Sequence, residues 1–265
     1  MPETPRADGC CLPARPSLAS LASLHGLMRG AALAVALAAL WPAASRADPL
    51  ISSARFSEPT SRYDHGVLGD DLEYGALELQ IRDQDGQTRR LTLRLPEHSV
   101  FEDLAPRLAD LEQDGTPEVI VVESHARLGA RLAVYDANGL RAATPHIGQK
   151  NRWLAPIGAA DFDGDGFVEI AYIDRPHLAK TLRLWRFKDG KLSEIAHKTG
   201  LTNHKIGWDF IAGGLRLCTD APKMITANAS WTRLIATGFD GQKLISRDIG
   251  PYLGPNSLTK ALSCP

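Results

Sequence analysis

The sequence lacks a long apolar run, a long basic run and an abundance of cysteine. The apolar block at residues 31–40 is about half of the roughly 20 residues that a membrane helix needs. The formal net charge is −1, whereas a nucleic-acid binder needs clustered Lys and Arg to neutralise phosphates. We therefore expect no membrane span in the mature chain and no nucleic-acid partner. Hydrophobic residues at 44% and charged residues at 23% are ordinary for a globular protein, which excludes wholesale disorder.

Local motifs of common enzymes are also missing. The sequence contains no Gly-x-Ser-x-Gly elbow, no His-Glu-x-x-His zinc pair and no Gly-rich phosphate loop. Asp64 with His65, and Asp174 with His177, have the chemistry of a hydrolytic pair, but closeness in sequence is weak support for one. A catalytic role is therefore the less favoured class.

The N-terminal residues have the pattern of a secretory signal. Arg29 precedes the apolar block, and small residues at Ser45 and Ala47 follow it, so we expect cleavage before Asp48. A buried helix is the alternative, but Pro42 fits it poorly. The pattern predicts an extension and signal peptide at residues 1–47, with Met1 or Met28 as the start, and one exported domain at residues 48–265. The domain would be periplasmic or secreted.

Two of the four cysteines, Cys218 and Cys264, lie in the predicted mature domain. An even pair in an exported chain predicts a disulfide, which would hold the C-terminal tail. Two unpaired buried thiols are the alternative.

Tight-turn dipeptides divide the domain into repeats. The glycines of four such dipeptides are separated by 53, 51 and 51 residues, and most of the flanking segments alternate apolar and polar residues. Four short antiparallel strands in about 51 residues, repeated, are typical of β-propeller blades. We expect an all-β propeller of about four repeats, in a ring of four or five blades, and no helix after residue 47. A β-sandwich would not explain the constant period. The dipeptides are Asp85-Gly86, Asn138-Gly139, Asp189-Gly190 and Asp240-Gly241.

An acidic loop in the third repeat has the spacing of a calcium site. Carboxylates stand at positions 1, 3, 5 and 9, a glycine allows the bend, and position 7 offers a backbone carbonyl. A hydrophilic turn is the alternative, since Asp and Gly are common in turns. The predicted ligands are Asp161, Asp163, Asp165, Phe167 and Glu169.

A second acidic loop lies 51 residues earlier and departs from the first at position 3. Glu112 replaces Asp there, and its extra methylene would crowd the site. We expect a weaker site for Ca²⁺ with the ligands Asp110, Glu112, Asp114, Thr116 and Glu118.

These two loops, each followed by an apolar strand, resemble the FG-GAP/VCBS repeat family. That family includes the β-propeller of integrin α chains and many exported bacterial proteins. The resemblance implies a β-propeller that holds Ca²⁺ in the Asp161–Glu169 loop. It covers the two central repeats well and the outer two only by turn spacing.

The opposite ends of the strands would carry a face rich in His, Arg and Trp, the usual anchors of a binding surface. Scattered solvated loops, with each Trp packed between blades, are the alternative. We expect an exported, Ca²⁺-stabilised module that binds or scaffolds a protein or glycan without chemistry. The alternative is a propeller hydrolase or lyase with its site on this face. The candidate ligand-binding residues are His146, Arg152, Trp153, Arg175, His177, His204 and Trp208.

Overall fold

A computed structural model describes residues 49–83, 85–218 and 221–264 of the chain. All of them belong to one compact unit, Ser45–Pro265. The predicted signal peptide and its cleavage site lie outside the described residues.

The described residues form three antiparallel sheets, which confirms the all-β prediction. The first sheet has eight strands: β1 (Leu50–Thr60), β2 (Glu73–Arg82), β3 (Thr88–Arg94), β4 (Ser99–Phe101), β5 (Arg107–Ala109), β6 (Glu118–His125), β7 (Gly129–Asp136) and β8 (Gly139–Ala143). The second sheet has four: β9 (Leu154–Ala160), β10 (Glu169–Asp174), β11 (Thr181–Lys188) and β12 (Lys191–Thr199). The third has five: β13 (Leu201–Thr202), β14 (Gly214–Arg216), β15 (Lys223–Asn228), β16 (Arg233–Phe239) and β17 (Leu244–Pro251).

The sheets divide into four meanders, in line with the predicted repeats. The second sheet follows chain order, β9 to β12. In the third sheet, β13 and β14 pair with the same strand, β15, so they form one edge interrupted by residues 203–213. In the first sheet, β4 and β5 likewise share β6. The remaining strands, β1 to β3, form a three-stranded first unit that joins the second at the pair Tyr74 and Phe101. Among the described residues, this unit has no fourth strand.

All four turn dipeptides connect neighbouring antiparallel strands, as expected. They join β2 to β3, β7 to β8, β11 to β12 and β16 to β17. At the third turn, Asp189 and Gly190 both have positive φ, 51° and 67°, as a two-residue hairpin requires. The local turn chemistry therefore accounts for the repeat pattern.

The apolar run in β6 is covered on both faces. Ile120 and Val122 belong to one buried cluster, whereas Val119 and Val121 belong to another. A strand covered on both faces needs no polar alternation, which explains why this run is continuous.

A helix, α1 (Pro255–Ala261), follows the last strand, so the expectation of no helix was wrong. Pro255 stands at the start of the helix, where its missing N–H costs nothing, and Leu258 is fully buried. Leu258 shares a cluster with Ile225 and Ala236 of the third sheet, so α1 covers one face of that sheet. Seven residues are too few for a clear helical period. Within the described part of the chain, no helix is long and apolar enough to cross a membrane.

The predicted disulfide is present between Cys218 and Cys264, whose Cα atoms lie 5.7 Å apart. That separation is ordinary for a disulfide. The bond joins the segment after β14 to the residues after α1, and so holds the C-terminal tail against the third sheet.

Reduction of this disulfide is expected to lower the free energy of unfolding by about 2–4 kcal/mol, because the unfolded chain regains the entropy of an open loop. Alkylation of the denatured, unreduced mature protein should label no thiol, and Cys218→Ser/Cys264→Ser should reproduce the loss seen on reduction. Labelling of two thiols before reduction would contradict the assignment.

Candidate functional site

Two sets of loops lie at opposite ends of the strands. In the second sheet, Glu169 pairs with Arg186 near the Asp189-Gly190 turn, whereas Asp174 pairs with Thr181 at the other end. The first end carries the acidic loops and is named the acidic end. The second carries the loops at residues 61–72, 125–129, 144–153, 175–180 and 203–213, and is named the histidine face.

The acidic loop of the third unit is built around backbone amides that donate to carboxylates. Asp161 accepts from Gly164 N at 2.7 Å and from Gly166 N at 3.0 Å, and both glycines have positive φ. Glu169 is fully buried and accepts from Phe162 N at 3.1 Å. Burial, the largest influence, raises the pKa of the Glu169 carboxyl. The loop is therefore folded by its own carboxylates.

Three of the predicted ligands converge. One carboxylate oxygen each from Asp161, Asp163 and Glu169 lie within 4.8 Å of one another. An ion that binds oxygens at about 2.3–2.6 Å fits such a spacing. Asp165 turns one oxygen to Phe167 N at 3.0 Å, so the Phe167 amide is engaged within the loop. The donor set therefore suits a hard divalent cation.

Arg186 also reaches this cluster, which the sequence analysis did not anticipate. Its guanidinium lies 2.7 Å from Glu169 Oε1, 3.1 Å from Asp163 Oδ2 and 2.7 Å from Asp165 Oδ2. The pairing of β10 with β11 places Arg186 directly opposite Glu169. The protein thus supplies one cation of its own to three carboxylates.

The second acidic loop shares with the first loop the backbone bonds of the glycine at position 6 and of the Glu at position 9, and it differs at the third residue. Asp110 accepts from Asp114 N and Gly115 N at 3.1 and 2.9 Å, and Glu118 accepts from Leu111 N at 2.9 Å. Burial raises the pKa of Glu118 to about 6.

Glu112, at the third position of this loop, instead binds Arg141 at 3.1 Å. Among the described residues, three converging metal-ligand groups occur only in the first loop. Of the remaining predicted ligands, Thr116 donates its amide to Asp114 Oδ1 at 2.7 Å. The second loop is therefore the weaker candidate.

On the histidine face, His177 and His204 are hydrogen-bonded. His204 Nε2 lies 2.9 Å from Trp208 O and must donate to this carbonyl, so His204 Nδ1 accepts from His177 Nε2 at 3.0 Å. Burial, followed by the neighbouring His204, lowers the pKa of His177 to about 4. Burial also lowers the pKa of His204. The pair is therefore neutral at pH 7.

The other predicted ligand-binding residues are partly engaged within the protein. Trp153 is 2% exposed and donates Nε1 to Glu102 O at 2.9 Å, so it packs in the core. Arg175 makes two bonds to Asp174, at 2.8 and 3.0 Å. His146 lies in a separate group with His125, their ring centroids 5.6 Å apart.

A buried carboxylate and a histidine form a pair that the sequence analysis missed. Glu102 is fully buried, and its two oxygens bind His65 Nδ1 and Ser124 Oγ. Burial raises the pKa of Glu102. Neither pair suggested by closeness in sequence forms: His65 binds Glu102, and Asp174 binds Arg175 and Arg183.

A small cavity lies beside this pair. It measures about 30 Å³ and is lined in part by His65, Asn151, Arg152, Trp153 and His177. It brings together four of the predicted ligand-binding residues, Arg152, Trp153, Arg175 and His177, with His65. Residues 61–72 carry His65 across the face, a path that no local signal predicts.

Comparisons with known proteins agree with the central repeats. Residues 110–172 match the model of the FG-GAP-like repeat, a segment that contains both acidic loops, so the expected family resemblance is confirmed. A comparison with curated proteins gives no match. A solved structure, exotype rhamnogalacturonan lyase YesX, is 12% identical with a TM-score of 0.40, and the alignment covers 78% of this chain and 50% of that one. The chain spans about half the length of that lyase.

Proposed function

We propose that this chain, which carries an FG-GAP-like repeat at its centre, is an exported β-propeller module that binds a protein or glycan on its histidine face without chemistry. Four meanders at a nearly constant spacing support the propeller assignment. The disulfide and the signal pattern support export to a periplasm or the exterior.

The small size of the cavity on the histidine face favours a binding function over a catalytic one. About 30 Å³ is room for one water molecule, whereas small-molecule sites measure roughly 300–1,000 Å³. A shallow face with Arg, His and Trp is suited to a large partner that does not enter a pocket.

The alternative, a hydrolase or lyase, is favoured by one observation. Glu102 holds Nδ1 of His65, which is how an enzyme orients a histidine that moves a proton at its other nitrogen. A substrate on this face would then lie near both His65 and His177, which line the same cavity.

Assays of turnover separate the two functions. We expect the purified mature protein to turn over no ester, glycan or phosphoester of a broad panel. Activity that His65→Ala, His177→Ala or His204→Ala abolishes, in variants with unchanged melting temperature, would overturn the binding role.

We also propose that the acidic loop binds Ca²⁺, although Arg186 competes for its carboxylates. The spacing of the Asp161, Asp163 and Glu169 oxygens supports this, with Asp165 and the Phe167 carbonyl completing the set. Bound Ca²⁺ would supply positive charge that joins the ends of β9 and β10. It has no part in chemistry.

Millimolar Ca²⁺ is expected to raise the melting temperature by a few degrees. Exported Ca²⁺ modules bind at about 10⁻⁴–10⁻³ M, so 1 mM Ca²⁺ contributes about 0.4–1.4 kcal/mol per loop. Asp163→Ala should remove most of this shift, and Glu112→Asp should increase it by restoring the third position of the weaker loop. Differential scanning calorimetry in EDTA and in Ca²⁺ measures both. Identical melting curves in the two buffers, for the wild type and Glu112→Asp, would contradict calcium binding.

A further inference from the structure

Three aromatic rings on the fourth unit surround one ammonium group. Lys205 Nζ lies 5.4 Å from the ring centroid of Trp208, 4.9 Å from that of Trp231 and 5.8 Å from that of Tyr252. These distances are within reach of cation–π attraction for all three rings. The three rings are named the aromatic cage, and Lys205 is its occupant.

The cage is held from behind by the protein core. All three rings are half-buried and pack against the cluster that contains Leu258 of α1. Trp208 stacks on Phe210, with centroids 4.5 Å apart, and Trp231 meets Trp208 and Tyr252 edge-on at 5.2 and 5.1 Å. A cation would therefore meet rings that are already in place, which lowers the entropy cost of binding.

The backbone at Trp231 is held in a conformation that bulky residues avoid. Its φ of 58° is left-handed, a region that glycine enters far more easily. Asn228 Oδ1 accepts from Thr232 N at 2.8 Å and from Arg233 N at 3.1 Å, which fixes this turn between β15 and β16. Such backbone strain is typical of functional sites, where it fixes the position of a side chain.

The occupant of the cage is open to solvent. Lys205 is exposed, and within the described ranges it forms no ion pair. Its ammonium is a compact, strongly hydrated charge, which loses part of its water when it lies against rings. A quaternary ammonium group carries the same charge spread over methyl groups and has less hydration to lose. The cage therefore suits a trimethylammonium group better than its present occupant.

We propose that Trp208, Trp231 and Tyr252 form a binding site for a trimethylammonium group, which displaces Lys205. This inference goes beyond the proposed binding of a protein or glycan, because it adds a second ligand class, and it needs neither Ca²⁺ nor the histidine pair. The same chemistry occurs in free choline-like solutes and in lipid headgroups.

Calorimetric titration with choline and with tetramethylammonium tests the proposal. We expect saturable binding of both, and no binding of 3,3-dimethylbutan-1-ol, which has the shape of choline without its charge. Lys205→Ala should lower the Kd by about two- to fivefold, because the competing cation is gone. Binding of the neutral alcohol with equal affinity would contradict a cation site.

Trp231→Gly removes one wall of the cage, and the relaxed left-handed backbone offsets part of the packing that is lost against the core. A cooperative melting transition shows that the variant is folded. We expect it to weaken choline binding at least tenfold, whereas Lys191→Ala, at an exposed position of β12, should leave the Kd unchanged. If choline binds neither the wild type nor Lys205→Ala, the proposed trimethylammonium site is wrong. The turnover assays would still decide the role of the histidine face.

Vesicles distinguish the two sources of the ligand. If the protein binds free choline but is not retained on phosphatidylcholine vesicles, the ligand is a soluble molecule. If the protein is retained on phosphatidylcholine vesicles but not on phosphatidylglycerol vesicles, and Trp231→Gly abolishes the retention, the ligand is the lipid headgroup. Equal retention on both lipids, with no effect of Trp231→Gly and no choline binding, would contradict the site.

Discussion

Glu73→Gln is expected to raise the free energy of unfolding by about 2–4 kcal/mol at pH 8 and to leave it almost unchanged at pH 4. Glu73 is 3% exposed, and burial, followed by the charges of Glu102, Asp70 and Asp103, raises its pKa to about 9. Its carboxyl ionises near pH 4.5 in the unfolded chain but stays protonated in the folded protein. The unfolded state therefore binds fewer protons between these values, and stability is lost as pH rises from about 4.5 to 9.

Glutamine copies the neutral carboxyl in shape and cannot ionise, so it should remove this loss. Urea unfolding at pH 4, 6 and 8 measures the effect, which should grow with each step. Glu97→Gln, at an exposed position, is the matched control and should change stability at none of the three values. An equal effect of Glu73→Gln at pH 4 and pH 8 would show that Glu73 is ionised in the folded protein.

Arg186→Gln is expected to destabilise the protein in EDTA by about 2–4 kcal/mol, because it leaves Glu169 buried without its charged partner. Ca²⁺ should restore most of the loss, since the ion then meets the carboxylates without a competitor. We expect the Ca²⁺-dependent rise in melting temperature to grow from a few degrees in the wild type to about 5–10 °C in the variant.

Arg183→Gln is the matched control for this experiment. Arg183 lies on the same strand, and it binds Asp174 at 2.9 Å and Glu194 at 2.7 Å, both outside the acidic loop. Its loss should lower stability in a manner that Ca²⁺ does not restore. Equal effects of Ca²⁺ on the two variants would remove Arg186 from the cation site.

The features that were predictable from the sequence are those encoded within a few residues. The Asp189-Gly190 turn and the Asp161–Glu169 loop contain their own conformational signals, because the side chains and glycines that shape them are neighbours. The continuous apolar run of β6 likewise showed that both of its faces are covered.

The remaining features depend on which distant segments meet. Arg186 reaches the acidic loop only because β10 pairs with β11 in one register, and a shift by one residue would turn it away. His65 meets Glu102 because residues 61–72 cross the histidine face. The aromatic cage joins Trp208 to Tyr252 through the third sheet and α1. None of these encounters leaves a local pattern.

We propose that a single cation, Arg186 or Ca²⁺, holds the acidic loop together. Calorimetric titration of Arg186→Gln with Ca²⁺ is the most direct test of this role. We predict a saturable site with a Kd about tenfold or more below that of the wild type, abolished by adding Asp163→Ala. No heat of Ca²⁺ binding in Arg186→Gln, together with a melting temperature that is the same in EDTA and in Ca²⁺, would contradict it.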